Sequence, residues 1–398
     1  MDFYLSETEK KFRDDVEKFI LDEMPSSYAA NDLYWPGGYG AISEFEVRDQ
    51  QVEKFRRKMG EHGWSTMAWP KEYGGGGRSF IEQAIFCERF SYHGAPGMDI
   101  STLIAGPTIL RFGSEEMKRE WIPKIVQGNL KFWLAYSEPN AGSDLAAIQT
   151  RAVEDGDHLV INGQKIWSSG AHVSDCGWMV ARTDMNAQPY RGTTLFIVDN
   201  KTPGITIRPI INIDGFHSFN EVFFDNVRVP KSNVVGEMNM GFYYLMVALD
   251  FERLIISMGG FRRRFEDLLK YARETRRNGR LLSEDARVRA KLADLAIQIE
   301  IAYLLYYRTA WMMDNNLFPN IEASEIKLVT TILSRKLADT GLEIMGPYGQ
   351  LWTGSARVPL RGRFSLGYLD SLSAVIGAGT SEIQRNILAQ RGLGLPRK

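Results

Sequence analysis

A chain of 398 residues with 44% hydrophobic and 24% charged residues has the composition of a globular protein of two to four domains. Its 48 Lys+Arg and 49 Asp+Glu leave a net charge of −1, so electrostatics points to neither nucleic acid nor an acidic membrane as partner. Two cysteines (Cys87, Cys176), no apolar run near the about 18 residues of a membrane span, and an opening MDFYLSETEKKFRDDVEKF without an apolar signal core exclude a disulfide scaffold. They set the expectation of a cytoplasmic protein with a large core and no membrane span.

Residues 1–128 read as helical. Phe3, Phe12, Val16, Phe19 and Ile20 recur at helical spacing behind Ser6, a candidate N-cap with Glu9 three residues later, and Pro25 ends that helix. Pro25–Gly40 is a loop carrying Tyr28, Tyr34, Trp35 and Tyr39. Gln50–His62 and Phe80–Tyr92 are further helices, with Trp69-Pro70-Lys71-Glu72-Tyr73 and four glycines between them. Near residue 130 the period changes from helical to alternating. Leu159–Ile161, an Asn162-Gly163 turn and Gln164–Trp167 read as a hairpin, and Thr194–Asp199, Ile205–Ile210 and Glu221–Val229 as strands. Helical periodicity returns after Gly241, clearest where Leu292, Leu295, Ala296, Ile299 and Ala302 share a face, and continues through Ser324–Leu337 and Ser381–Ala389. The fold class is α+β multidomain: helical at 1–130, β at 131–240 and helical again at 241–398.

Several chemistries leave no trace. There is no phosphate-binding loop ending in Gly-Lys-Ser/Thr, no Gly-x-Gly-x-x-Gly after a strand and no Gly-x-Ser-x-Gly elbow. The five histidines form no His-Glu-x-x-His pair, so no metal is expected. Gly74–Gly77 reads as a turn rather than a phosphate cradle, because no Lys-Ser/Thr follows.

Four segments carry more. They are Tyr136-Ser137-Glu138-Pro139-Asn140-Ala141-Gly142-Ser143-Asp144, Asn162-Gly163-Gln164-Lys165-Ile166-Trp167-Ser168-Ser169-Gly170, Phe223 to Pro230, and Gly379-Thr380-Ser381-Glu382-Ile383-Gln384-Arg385-Asn386. In these segments and their order the chain resembles the acyl-CoA dehydrogenase family of flavoproteins, from about residue 5 to residue 396. The first two are similar to the family's Ser/Thr-Glu-Pro-x-Ala-Gly-Ser-Asp and Lys-x-Trp patterns. The resemblance implies an N-terminal helical domain, a middle β-domain and a C-terminal four-helix bundle. It implies FAD bound between the last two and reaching a neighbouring subunit. It also implies α,β-desaturation of an acyl-CoA, an α-proton going to a carboxylate and a β-hydride to flavin N5. Carried over residue by residue, Tyr136 and Ser137 match hydrogen-bonding positions at the flavin ring. Trp167 and Ser169 match an indole packed by the ring and a hydroxyl near N5. Ser143 matches the CoA end of the substrate site, and Thr380 and Glu382 match contacts to the adenosine part. Alone, Trp167 reads as a core aromatic, and Ser137 and Ser169 as solvated hydroxyls.

The base is where the chain departs from many relatives. Their Glu-Gly-Thr is here Ala378-Gly379-Thr380, and alanine takes no proton. The family's second solution puts a glutamate on the first long helix of the C-terminal domain. Glu252 matches that position, as in isovaleryl- and long-chain-type dehydrogenases. Its alternative is a surface carboxylate paired with Arg253 or Arg262. Glu252 sits among Leu249, Phe251, Leu254, Ile255 and Ile256, and an apolar setting raises a carboxyl pKa toward that of a working base. Arg253 and Ala378 go to the substrate side, Ala378 through a backbone N–H aimed at the thioester oxygen. Thr275–Gly279 stands where many relatives have Arg-Lys-x-Phe-Gly, and Glu343–Pro347 also departs. Among the dense arginines of this stretch, Arg277 is the one assigned to FAD.

The implied partners are an acyl-CoA and an electron-transferring flavoprotein. The implied assembly is a homotetramer, a dimer of dimers, with a heterotetramer as the other assembly. Two competing functions stand beside this one. One is a flavin monooxygenase or oxidase of the same fold, which Glu252 disfavours. The other is a non-catalytic partner subunit of a heteromeric dehydrogenase, suggested by the lost Glu-Gly-Thr glutamate. The acyl group stays open among linear, branched, aryl and steroid side-chain thioesters.

Overall fold

The computed structural model describes residues 4–24, 50–97, 100–251, 258–317 and 319–396. The chain forms two compact units, one of residues 1–43, 79–96 and 253–398, the other of residues 44–78 and 97–252. The aromatic loop at 25–40 lies outside the described residues, as do Glu252 and Arg253.

The first unit is helical. Its Glu7–Glu23 helix starts at the expected capping box, Glu9 N–H donating to Ser6 Oγ and Ser6 N–H to the Glu9 carboxylate, and buries Phe12, Val16, Phe19 and Ile20. Helices Met258–Glu274, Ala286–Asp314, Asn320–Met345 and Arg363–Ala374 follow. The inward face of Ala286–Asp314 includes Leu292, Leu295, Ile299 and Ala302, as the periodicity predicts. Phe80–His93 belongs to this unit. Its first N–H groups donate to Asp314, and its buried Glu88 accepts hydrogen bonds from Tyr307 Oη (2.7 Å) and Tyr303 Oη (3.3 Å). Gly259 permits the close approach of two helices, since a Cβ there would lie 1.9 Å from the Glu88 carbonyl oxygen. No described helix is long and apolar enough to cross a membrane.

The second unit is a seven-stranded sheet with helices against it. The strands are β1 (Phe132–Ala135), β2 (Arg151–Asp155), β3 (His158–Lys165), β4 (Cys176–Arg182), β5 (Thr193–Asp199), β6 (Ile205–Ile210) and β7 (Phe219–Pro230). Their order is β1-β4-β2-β3-β7-β6, with β5 on β4. Alternate residues of the central strands enter two cores. Phe132, Trp178, Leu195 and Ile197 join Trp69, Trp121 and Tyr244, whereas Trp133, Met179, Phe196 and Val198 join Leu159, Val222 and Val229. With both faces covered, β4 is buried at every residue and shows no alternation, which is why the sequence pattern does not reveal it.

The expected turn at Asn162-Gly163 is absent. β3 runs straight through it, and the pairing with β7 shifts register between Ile161 and Gly163. The glycine is needed for space, because a Cβ would lie 2.5 Å from Thr150 Oγ1. The hairpin turn lies earlier, at Gly156 (φ 63°) between β2 and β3. Gly74–Gly77 does form a turn. The N–H groups of Gly75, Gly76 and Gly77 donate to Pro70, Thr66 and Trp69 carbonyls, which leaves none of these three for a phosphate.

Candidate functional site

In the second unit, β1 delivers Tyr136 and Ser137 to a tight turn closed by reciprocal N–H to carbonyl bonds of 3.0 Å between Glu138 and Ala141. The Glu138 side chain turns inward, 8% exposed, and accepts from the Gln149 N–H (2.6 Å) and the Thr150 N–H (2.9 Å). Lys165, at the end of β3 and fully buried, donates to Glu138 Oε1 at 2.8 Å and to the Tyr136 carbonyl at 2.9 Å. Ile166 N–H then donates to the Ser137 carbonyl at 3.0 Å. The two segments singled out in the sequence are therefore bolted together by one buried ion pair, the Lys165 bond to the Tyr136 carbonyl and one backbone bond.

Burial pushes the Lys165 ammonium down from 10.5 to about 8, against the pull of the Glu138 carboxylate. Burial also pushes Glu138 upward, but Lys165 and the bonds from Thr150 and Gln149 outweigh it and hold Glu138 below 4.5. Both groups are thus charged near neutral pH, and each is the other's compensation for leaving water.

Beyond Lys165 the chain leaves the ladder. Trp167 takes a left-handed backbone (φ 59°), Ser168 is buried, and Gly170 is left-handed again (φ 63°). Ser168 N–H donates to the Asn220 carbonyl (3.1 Å) and Gly170 N–H to the Ser218 carbonyl (2.9 Å). This alternation displays Trp167, 58% exposed, and Ser169 on the outside. Trp167 is therefore no core aromatic. Its one ring contact among the described residues is edge-on to Phe219, at 6.1 Å. A rigid, strained loop that presents an indole and a hydroxyl two residues apart offers an apolar face and a hydrogen-bond donor together. That combination suits a flat heteroaromatic ring. Ser143 lies exposed in the same turn region, seven residues past Tyr136.

The first unit holds Arg277, Ala378, Thr380 and Glu382. Ala378 is left-handed (φ 52°), as is Gly379 (φ 83°), and buried Gln384 donates to both their carbonyls at 3.3 Å. Thr380 caps the Ser381–Ile387 helix, its Oγ accepting from Ile383 N–H at 3.2 Å, and Glu382 pairs with Arg385 at 3.3 Å. Arg277 sits in a two-residue hairpin arm paired with Arg280 and donates to the Ile344 carbonyl at 2.6 Å. The two departing stretches, 275–279 and 343–347, are thus in contact, with Arg277 binding a carbonyl in the last turn of Asn320–Met345. Among the described residues no cluster of His, Cys, Asp or Glu could hold a metal.

Sequence reasoning passed over Lys165, Glu138 and Asn220 as structural agents. A signal existed for the first. On β3 the inward residues are Leu159 and Ile161, and Lys165 has the same parity, which demands a buried carboxylate partner.

Three family models cover the chain: the N-terminal domain of acyl-CoA dehydrogenase at residues 6–129, its middle domain at 134–227 and its C-terminal domain at 239–393. The chain is 34% identical over 348 residues to acyl-CoA dehydrogenase FadE26 of Mycobacterium tuberculosis, covering 85% of this chain and 87% of that protein. Among solved structures, the Tcur3481-Tcur3483 steroid ACAD superposes with a TM-score of 0.90 at 30% identity, over 100% of both chains. The ChsE4-ChsE5 complex from Mycobacterium tuberculosis gives 0.89 at 30% identity, also over 100% of both.

Proposed function

The chain belongs to the acyl-CoA dehydrogenase family, and from that premise we propose that it desaturates an acyl-CoA thioester between Cα and Cβ, with FAD as cofactor and Glu252 as base. It has the family's helical, β and helical parts and is an enzyme of the oxidoreductase class. The observation that carries the cofactor reading is the bolted loop pair that displays Trp167 and Ser169.

Bound FAD supplies the two-electron acceptor for the desaturation. On the protein side, the Trp167 indole gives the ring an apolar wall, and the Ser169 hydroxyl, Ser137 and Tyr136 offer it hydrogen bonds. Arg277, Thr380 and Glu382 take the rest of the cofactor. Thr380 keeps its hydroxyl proton for this, because the helix cap uses only an oxygen lone pair. Ser143 and Arg253 hold the CoA thioester, and the Ala378 N–H donates to its carbonyl oxygen, which acidifies the α-carbon. Glu252 then takes the α-proton. The domain bounds at 130 and 240, a cytoplasmic location, a dimer-of-dimers assembly and an electron-transferring flavoprotein as acceptor complete the reading. A steroid side-chain thioester is the substrate class to try first, since the steroid ACAD matches over the whole chain.

A second reading has its own observation. Ala378 stands where many relatives carry their base, and a solved neighbour is described as a complex of two named chains. Pairing with a second, non-identical chain fits both facts. The test is anaerobic titration of the yellow protein with a panel of acyl-CoA thioesters, followed at the flavin absorbance. Parental protein should bleach with at least one thioester. Glu252→Gln should bind FAD and ligand but reduce the flavin at least about 10²-fold more slowly. Bleaching at the parental rate removes Glu252 as base. A colourless chain that turns yellow only with a co-expressed partner favours the heteromer.

A further inference from the structure

The Trp167–Gly170 loop departs from β3 where the backbone ladder to β7 ends, at Lys165 opposite Val222. Two residues further along β7 in that direction, the side chain of Asn220 takes over. It is fully buried. Its backbone carbonyl accepts from Ser168 N–H (3.1 Å) and its side-chain Nδ2 donates to the Ser168 carbonyl (2.9 Å), so both polar backbone groups of Ser168 are held by one residue. The same Nδ2 lies 3.1 Å from His172 Nδ1, and Oδ1 lies 2.8 Å from His217 Nε2. The two imidazoles are stacked, 3.8 Å between centroids and 13° between planes.

The orientation of the amide follows from chemistry. The Ser168 carbonyl can only accept, so the atom facing it is the NH₂. The geometry then requires His172 Nδ1 to be an acceptor and His217 Nε2 to carry a proton. Ser168 Oγ is buried with no hydrogen-bond partner among the described residues. The register of the loop is therefore set through Ser168's backbone and not by its hydroxyl.

We propose that Asn220, oriented by the His172–His217 stack, is the positioning residue of the flavin-facing loop: it holds Trp167 in its strained left-handed conformation and thereby aims both Trp167 and Ser169 at the cofactor. The proposal rests on the reading that these two residues face the FAD ring. A tryptophan at φ 59° persists only if its surroundings over-determine it, at a strain on the order of 1–3 kcal/mol for such conformations. The side-chain bond from Asn220 Nδ2 to the next residue, beside the backbone bond that any residue at 220 would keep, supplies that constraint. Without it the backbone at 167 relaxes, the indole swings and the hydroxyl of Ser169 moves with it.

The test is Asn220→Asp in the full-length protein. The change is nearly isosteric, keeps the acceptor for His217, and sets an oxygen against the Ser168 carbonyl. Expected are an FAD Kd raised about tenfold or more, displaced visible absorbance bands and a shifted flavin reduction potential. Val227→Ala, a cavity in the core on the same strand, serves as control: it should lower Tm while leaving spectrum and potential in place. An Asn220→Asp protein with parental Kd, spectrum and potential overturns the proposal, whatever its Tm. If Asn220→Asp does not fold, His217→Phe keeps a stacked ring and removes the bond to Oδ1. A smaller shift in the same direction supports the proposal, and an unchanged spectrum and potential overturn it. Trp167→Ala separates the two levels. If it retains parental FAD affinity and spectrum, the flavin-facing reading itself fails and takes the proposal with it. If Trp167→Ala weakens FAD and the Asn220 and His217 variants do not, only the proposal fails.

Discussion

The Tyr136–Gly170 platform and the Arg277–Glu382 region carry the two sets of residues proposed to contact the cofactor, and their polar groups are used in opposite ways. In the platform they are buried and cross-link the chain: Lys165 to Glu138 and Tyr136, Asn220 to Ser168. In the other region they sit at the surface and finish helix ends: Arg277 on the Ile344 carbonyl, Thr380 on the Ile383 N–H, Glu382 on Arg385. A buried cross-link that loses one member strands the other in an apolar interior, whereas a surface cap that loses its partner is rehydrated. The same residue types therefore differ in what their removal costs.

The largest effect expected from this contrast is Glu138→Gln. It leaves a buried ammonium without a countercharge, and stability should fall by about 3–5 kcal/mol in denaturant unfolding. The double variant Glu138→Gln with Lys165→Met should recover most of that loss. If the single change costs under about 1 kcal/mol, the platform is no more cross-linked than the caps.

A pH series sharpens the same point. Glu138 is held below its usual 4.5, so it contributes stability above that value, lost as pH falls through the lower folded pKa. Lys165 titrates at about 8 instead of 10.5, so between these values the unfolded chain binds the extra proton and stability rises with pH. Relative to the double variant, which carries neither group, parental unfolding free energy should climb up to about pH 4.5 and again above about pH 8. Parallel curves would show that the pair does not titrate as a buried unit.

The smallest effect belongs to the surface. Thr380→Ala removes one N-cap and should cost about 1 kcal/mol, with Thr380→Ser restoring it. A loss as large as that of Glu138→Gln would erase the distinction between the two regions.

The helices with one apolar face were legible in the sequence, the capping box at Ser6 and Glu9 included, because a single buried face leaves a 3.6-residue period. β4 was not, because a strand buried on both faces has no alternation to read. The Asn162-Gly163 pair misled for a different reason. The dipeptide suits a tight turn, but here its glycine answers the proximity of Thr150, a contact made by the sheet and invisible locally. The displayed residues Trp167 and Ser169 were legible through their motif. What holds them was not, since Asn220 lies 52 residues from Ser168 and only the register of β7 brings it there. Glu252, the proposed base, was legible through its motif and its apolar sequence neighbours, and lies outside the described residues.

The Phe80–His93 helix has a history as well as a place. Its unit draws on residues 1–43, 79–96 and 253–398, while the intervening residues from 97 onward belong to the other unit. Of its partners only the Glu7–Glu23 helix, whose Glu17 binds Arg89 and His93, precedes it; during synthesis, at about 5–20 residues per second, the ribosome adds roughly 160 more residues before the others begin to emerge, a wait of ~8–30 s. A helix of 14 residues is marginal by itself in water. Its apolar side (Ala84, Ile85, Phe86, Phe90) lacks its later partners over that time, and the Glu88 carboxylate stays wet until Tyr303 and Tyr307 arrive. The sheet unit, complete once residue 252 has left the tunnel, can fold first with this segment as an open loop. Nascent chains stalled with residue 252 outside the tunnel and the Met258–Glu274 helix still inside it would then present one folded body and one sticky, chaperone-accessible strip.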